Sequence, residues 1–181
     1  RDPDGNFSWI RTMGHIYKSR GNFDLSAQYY QEALDYMLKN MPDQDPSQLY
    51  SSLAEYYRNT QKDYATALDY CEKALKSAKT ERNIAQAMIE KCLILFKQKR
   101  IDEFNDCYKE AVQMADRCKL SANVSLLIAH ISKNILDKQY EQAHAHADQL
   151  SEKGLQQHAY IYECAKDYPN AIQYLNKYHQ Q

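Results

Sequence analysis

Five times along the chain an aromatic or aliphatic residue is followed three positions later by a small or hydrophobic one at the start of a helix-like run. Gly21-Asn22-Phe23-Asp24-Leu25-Ser26 opens the first run, which continues through Tyr30 and Ala33. Asp63-Tyr64-Ala65-Thr66-Ala67 opens the second, which continues through Cys71 and Ala74. Ile101 leads to Phe104, Tyr108 and Ala111, Tyr140 to Ala143, Ala147 and Leu150, and Tyr168 to Ala171, Leu175 and Tyr178. Spacings of three and four put these residues on one face of a helix, and their recurrence is an internal repeat. Each unit reads as a helix–turn–helix that cannot bury its apolar face alone and must stack on its neighbours.

The residues of the first unit resemble the tetratricopeptide repeat (TPR) family. Ile10, Met13, Gly14 and Tyr17 match the family's large–Leu–Gly–Tyr series on helix A. Gly21 and Phe23 match the turn, and Ser26, Tyr30 and Ala33 the small–aromatic–Ala series of helix B. A small residue at Gly14 lets helix B cross close to helix A, while Tyr17 and Tyr30 fill the space beside the crossing. The second unit carries Tyr50, Leu53, Ala54, Tyr57, Tyr64, Ala67, Cys71 and Ala74, with one extra residue in the Asn59-Thr60-Gln61-Lys62 turn. The fifth carries Leu155, Ala159, Tyr162, Tyr168, Ala171 and Leu175. In the third unit, reading back from the turn puts Lys91 at a core position. Sliding by one gives Ile89, Cys92, Leu93 and Phe96 instead, and the same slide in the fourth gives Ile128, Ile131, Ser132 and Ile135. Both units are therefore expected to have a turn one residue shorter. The resemblance implies an all-α, right-handed α-solenoid of about five TPR-like pairs, with the 181 residues divided by the family period of about 34. A single domain over residues 1–181 is expected, with units near 7–40, 47–80, 81–118, 119–152 and 153–181.

Composition fits a helical array. Gly and Pro number four each and Tyr sixteen, which suits aromatic packing between helices rather than loops or strands. A formal net charge of −1 gives no basic face for nucleic acid or an anionic membrane. No run approaches the roughly 18 apolar residues of a bilayer span. Arg1-Asp2-Pro3-Asp4-Gly5 is a polar lead unlike a signal peptide, and the chain is expected to be a fragment of a larger protein. Asn40 to Pro46 is the one long loop, with Asp45 or Ser47 as the cap of the next helix, and Pro169 falls in the first turn of the last helix.

Candidate chemistry is sparse. Cys71, Cys92, Cys107, Cys118 and Cys164 are odd in number and lack C-x-x-C spacing, so neither a zinc site nor a disulfide framework is expected. Buried free thiols fit a reducing compartment, or a periplasmic one if the chain is a sensor domain. His144 and Asp148 share a helix face, but two ligands make no metal site and a solvated face is the expectation. His15, His130, His158 and His179 read as scattered. No nucleophile motif or Gly-rich phosphate loop is present, so no catalytic residue, cofactor or metal is assigned and the chain reads as a non-enzyme.

The TPR resemblance implies that the inner faces of the A helices line a concave groove for an extended peptide or partner helix. Carried over, these positions are Arg11, His15 and Lys18 in unit one, Ser51, Glu55 and Arg58 in unit two, and Gln156, Tyr160 and Glu163 in unit five. The N-terminal half is expected to show a basic excess suited to an acidic group. The family's chaperone-tail clamp is mostly absent, because Arg11, His15 and Ser52 stand where it needs Lys and Asn. Residues 159–178 also resemble the final TPR unit of certain bacterial sensor histidine kinases. The expected function is a protein- or peptide-binding module within a larger signalling protein, with a ligand-sensing domain of a two-component-type regulator as the alternative and an enzyme last. Helix B of unit five shows Ile172, Leu175 and Tyr178 at helical spacing. That apolar patch is expected to be covered by a further helix or by a second copy, giving a homodimer.

Overall fold

The computed structural model describes residues 3–120, 123–150 and 154–180. Every element among them is helical: α1 (Pro3–Ser19), α2 (Phe23–Asn40), α3 (Ser47–Tyr56), α4 (Tyr64–Ser77), α5 (Glu81–Lys97), α6 (Ile101–Arg117), α7 (Val124–Leu136), α8 (Tyr140–Ala147), α9 (Gly154–Cys164) and α10 (Tyr168–His179). Each odd-numbered helix packs against the even one that follows, and α5 also touches α3 and α7, so the odd helices form the inner layer of an α-solenoid.

Four of the five hairpins, those of units one, three, four and five, turn by one device. The N–H of Asn22, Arg100, Gln139 and Asp167 returns to the carbonyl of Tyr17, Leu95, Asn134 and Tyr162, five residues earlier. The preceding residue, Gly21, Lys99, Lys138 or Lys166, is left-handed, with φ of 74°, 60°, 58° and 63°. This is the Schellman arrangement, which satisfies carbonyls that a helix end would otherwise leave bare. Asn22 and Asp167 then cap the next helix by accepting from the N–H of Leu25 and Asn170.

These bonds correct the expected register. Leu95 and Asn134, not Phe96 and Ile135, match Tyr17, and the turns of units three and four are as long as those of units one and five. Lys91 therefore does stand at the Met13 position. It is tolerated because that position is only half-buried in both units, which leaves room for an aliphatic stem with its charge in water. Of the residues named by the slide, Ile89, Cys92, Leu93, Ile131 and Ser132 are buried, while Phe96, Ile128 and Ile135 are half-buried. The extra residue of unit two lies in a π-helical turn, Tyr57–Gln61, closed by Asp63 N–H on the Tyr57 carbonyl.

Gly14 is the tightest point of the first hairpin. A Cβ built there would lie 2.7 Å from two ring carbons of Tyr30, and Ser26 Oγ donates to the Gly14 carbonyl at 2.9 Å. Tyr30 is 2 % exposed and packs with Phe7, Ile10, Leu34, Met37, Leu49 and Leu53. Asp45 does not cap α3 from the N-cap position, which Pro46 holds. Instead its carboxylate accepts from the N–H groups of Ser47 and Lys79 and from Asn83 Nδ2, tying the long loop to the corner between α4 and α5. Burial opposes the charge, but these hydrogen bonds outweigh it and hold the Asp45 carboxyl below the usual range.

Candidate functional site

A cleft of about 260 Å³ opens on the inner layer. Arg11, His15, Ser51, Ser52 and Glu55 line it from α1 and α3, Gln86 and Glu90 from α5, and Asn123 and Ser125 from the start of α7, with Tyr30 behind. Arg11, His15, Ser51 and Glu55 come together here as the repeat positions imply. Gln48, Gln86, Glu90, Asn123 and Ser125 were missed: Gln48, Gln86 and Ser125 lie one turn toward the N-termini of their helices from the repeat positions, Asn123 caps α7, and Glu90 is the neighbour of Ile89, which holds the Arg11 position in unit three.

The expected basic excess is corrected by pairing. Lys18 reaches Glu55 at 2.5 Å, and Arg58 is not a groove cation at all. It is 5 % exposed and donates through Nε and Nη2 to Glu90 at 3.2 and 3.0 Å, while Ser125 Oγ donates to the other Glu90 oxygen at 2.8 Å. Both carboxylates of the cleft thus carry a cation or hydroxyl already. Among the described residues no carboxylate lies within ion-pair distance of Arg11, which is exposed and stands 5.4 Å above the Phe7 ring. His15 shares a 3.0 Å hydrogen bond with the Tyr30 hydroxyl. Partial burial, then Arg11 and Lys18, push its pKa down, so it is neutral at pH 7 and Arg11 is the cleft's unpaired charge.

Gln156, Tyr160 and Glu163 do not reach this cleft. Counting back from the turn bonds, the positions of Arg11 and His15 are held in unit three by Ile89 and Leu93, which are 1 % and 2 % exposed. The middle of the inner layer is therefore filled by core, and the groove is not one continuous channel. Beyond the fill, Tyr160 meets unit three directly, with Lys97 Nζ 5.2 Å from its ring centroid. Burial pushes the Tyr160 phenol up to about 12.

The histidines are not scattered, nor is the His144–Asp148 face simply solvated. His144 and His158 stack with ring centroids 4.9 Å apart and share an Nδ1–Nδ1 hydrogen bond of 2.7 Å, and His158 Nε2 lies 3.0 Å from Asp148. His130 stacks on His146 at 4.9 Å and shares a 2.6 Å hydrogen bond with the Tyr108 hydroxyl. Helix spacing hid this because each pair joins different helices. The Nδ1 atoms face each other and Asp148 sits on the far side of the His158 ring, so the three cannot converge on one ion. Among the described residues no group of three or more His, Cys, Asp or Glu could hold a metal.

Ile172, Leu175 and Tyr178 are 58 %, 42 % and 38 % exposed on α10. The residues matching Leu175 and Tyr178 are Tyr30 and Ala33 in unit one and Cys71 and Ala74 in unit two, and all four are at most 2 % exposed. Trp9, 56 % exposed, shows the same contrast at the other end. It lies eight residues before Tyr17, where the later units place Leu49, Ala87, Leu126 and Gly154, all buried.

Residues 7–80 match the family described as Tetratricopeptide repeat. The crystal structure of BtubC (BKLC) from P. vanneervenii is similar in fold. Its TM-score is 0.58 at 17 % sequence identity, and the alignment covers 94 % of this chain and 77 % of that one. No curated protein matches the sequence. Residues 7–80 thus match the tetratricopeptide repeat family, and the same turn bond in units one, three, four and five, with a solved structure similar in fold over nearly the whole chain, extends the helical-repeat architecture to the remaining units.

Proposed function

We propose that the chain is a non-catalytic module that binds an extended peptide or a partner segment in the cleft between α1, α3, α5 and α7, and that the partner places an acidic group on Arg11. Tetratricopeptide repeats in general mediate protein–protein interaction, which supplies the class of partner. The observation that carries the finer reading is the charge inventory of the cleft. Glu55 is paired with Lys18 and Glu90 with Arg58, with Ser125 hydrogen-bonded to the second Glu90 oxygen, so a bound anion meets no uncompensated negative charge, and Arg11 offers a planar fork for a carboxylate. The serine, glutamine and asparagine side chains around it are donors and acceptors suited to a peptide backbone. The module is one part of a larger signalling protein. No helix among the described residues is long and apolar enough to cross a membrane.

Peptides selected from a random displayed library against the whole chain test this. They should be enriched in Asp and Glu, and Arg11→Glu should weaken them at least about tenfold, the cost of one charge-assisted contact. Lys76→Glu, on exposed α4, should leave them unchanged. Selected peptides indifferent to Arg11→Glu would rule the assignment out.

A second surface is the α10 face, which we assign to α1 of a second copy. Leu49 of α3 packs with Tyr30, Leu34 and Met37 of α2 inside the chain, and Trp9 presents the same position on α1. Copies joined this way continue the stacking of the repeats across the junction.

A further inference from the structure

We propose that Cys92 and Cys107 are an oxidative modification site, a thiol pair that closes to an intramolecular disulfide by exchange with a low-molecular-weight disulfide such as glutathione disulfide. Cys92 lies on α5 and Cys107 on α6, on facing sides of the third hairpin, with their sulfurs 2.7 Å apart. Thiols that merely pack together sit at van der Waals separation, and a disulfide bond is about 2.05 Å. Only a small approach of two side chains separates the pair from bonding. Among the described residues no other cysteine sulfur is hydrogen-bonded to a second one, and Cys71, the other fully buried thiol, lies on α4.

The two thiols are not equivalent, and the difference assigns their roles. Cys107 is half-buried and accepts the Cys92 S–H, with Lys91 nearby. That hydrogen bond first, and then Lys91, favours its thiolate, and the thiolate is the nucleophile in exchange. Cys92 is 0 % exposed, so no oxidant reaches it directly. Cys107 therefore attacks one sulfur of glutathione disulfide, forming a mixed disulfide and releasing glutathione as its thiolate. The Cys92 sulfur, giving up its proton to solvent, then attacks Sγ of Cys107 and expels the second glutathione. Two protein thiols and one glutathione disulfide become one protein disulfide and two glutathione thiols, so electrons and protons balance. The product ties α5 to α6 across 15 positions of sequence, at the centre of the solenoid where α5 also meets α3 and α7.

The test uses the whole chain equilibrated with glutathione buffers of rising oxidised fraction, quenched by alkylation and mapped by mass spectrometry. The expected product has two fewer alkylatable cysteines, with the Cys92–Lys97 tryptic peptide linked to Ile101–Lys109. Cys164→Ser should form the same link. Cys92→Ser should stop at glutathione on Cys107, and Cys107→Ser should leave Cys92 unmodified. The link should also raise the melting temperature relative to the reduced chain, a readout that needs no variant. A wild-type chain that retains glutathione on Cys107 without linking, that links Cys107 to Cys118, or that leaves both thiols free at every ratio would overturn the proposal.

Discussion

Arg58 and Glu90 form a buried ion pair that joins the second repeat to the third, two charges at 5 % and 6 % exposure held by two N–H donations and a hydroxyl from the fourth repeat. A pair this deep is weak evidence for net stability, since desolvating both charges offsets much of their attraction, but orphaning one partner is expensive. Arg58→Met should therefore cost roughly 3–5 kcal/mol, and the double variant with Glu90→Leu should recover much of that. Urea unfolding of the two singles and the double forms the cycle. A double-variant loss equal to the sum of the two single losses would mean that the ion pair is not a coupled unit.

Gly14 supplies a sharper test of packing. Its missing side chain lets the Tyr30 ring approach to 2.7 Å of where a Cβ would be, and the ring is too enclosed to swing away. Gly14→Leu should destabilise by roughly 1–3 kcal/mol, the usual cost of overpacking. Adding Tyr30→Leu should relieve part of the clash. A thermal melt unchanged by Gly14→Leu would show that α1 and α2 do not cross there.

The left-handed lysines point the other way. Lys99, Lys138 and Lys166 occupy a conformation that disfavours any residue with a Cβ, at a position where the first hairpin uses Gly21. Lys138→Gly should raise stability by roughly 0.5–1 kcal/mol, with relief of backbone strain exceeding the entropy glycine adds to the unfolded chain. A loss on chemical denaturation would contradict the turn geometry.

Acid should loosen the C-terminal half first. Burial pushes the His130, His144 and His146 pKa values down, with a second cation-forming ring lowering His130 (His146) and His144 (His158) further. Each of these residues binds a proton less readily folded than unfolded. Their contribution is intact above the unfolded value of about 6.5 and is lost as pH falls from there through the lowered folded values. The melting temperature should drop between about pH 7 and pH 5, and less steeply in His144→Gln. A flat profile over that range would mean these rings are solvated in the native state.

The two end faces make a prediction about assembly. If α1 of one copy covers α10 of the next, Trp9→Ala and Leu175→Glu should each reduce the mass seen by light scattering at high concentration, and mixing the two variants should yield a dimer, since each retains one good face. Sensitivity to Leu175→Glu alone would instead indicate an α10–α10 contact.

The fold was legible because spacing encodes it: Tyr30, Ala33, Cys71, Ala74, Phe104 and Ala111 all lie buried where the periodicity put them. Turn length was misread in units three and four because a half-buried position was taken for a core one, and Lys91 could then not be accommodated. The candidate site was only partly legible. Repeat equivalence found Arg11, His15, Ser51 and Glu55, but equivalence assumes that every unit treats the position alike, and Ile89 and Leu93 fill in the third unit what Arg11 and His15 leave open in the first. Contacts between helices left no sequence signal either. Arg58 with Glu90 and His144 with His158 are brought together by the stacking of one hairpin on the next, and Cys92 with Cys107 by the packing of α5 on α6.

The central claim is that Arg11 receives an acidic group in the cleft, and a reciprocal charge swap measures it most directly. Affinity is measured by fluorescence anisotropy for a selected acidic peptide and for the same peptide with its key Glu changed to Lys, each against the wild-type chain and Arg11→Glu. The account predicts that wild type prefers the acidic peptide and that Arg11→Glu reverses the preference. Both peptides losing affinity equally on Arg11→Glu, or neither losing any, would contradict it.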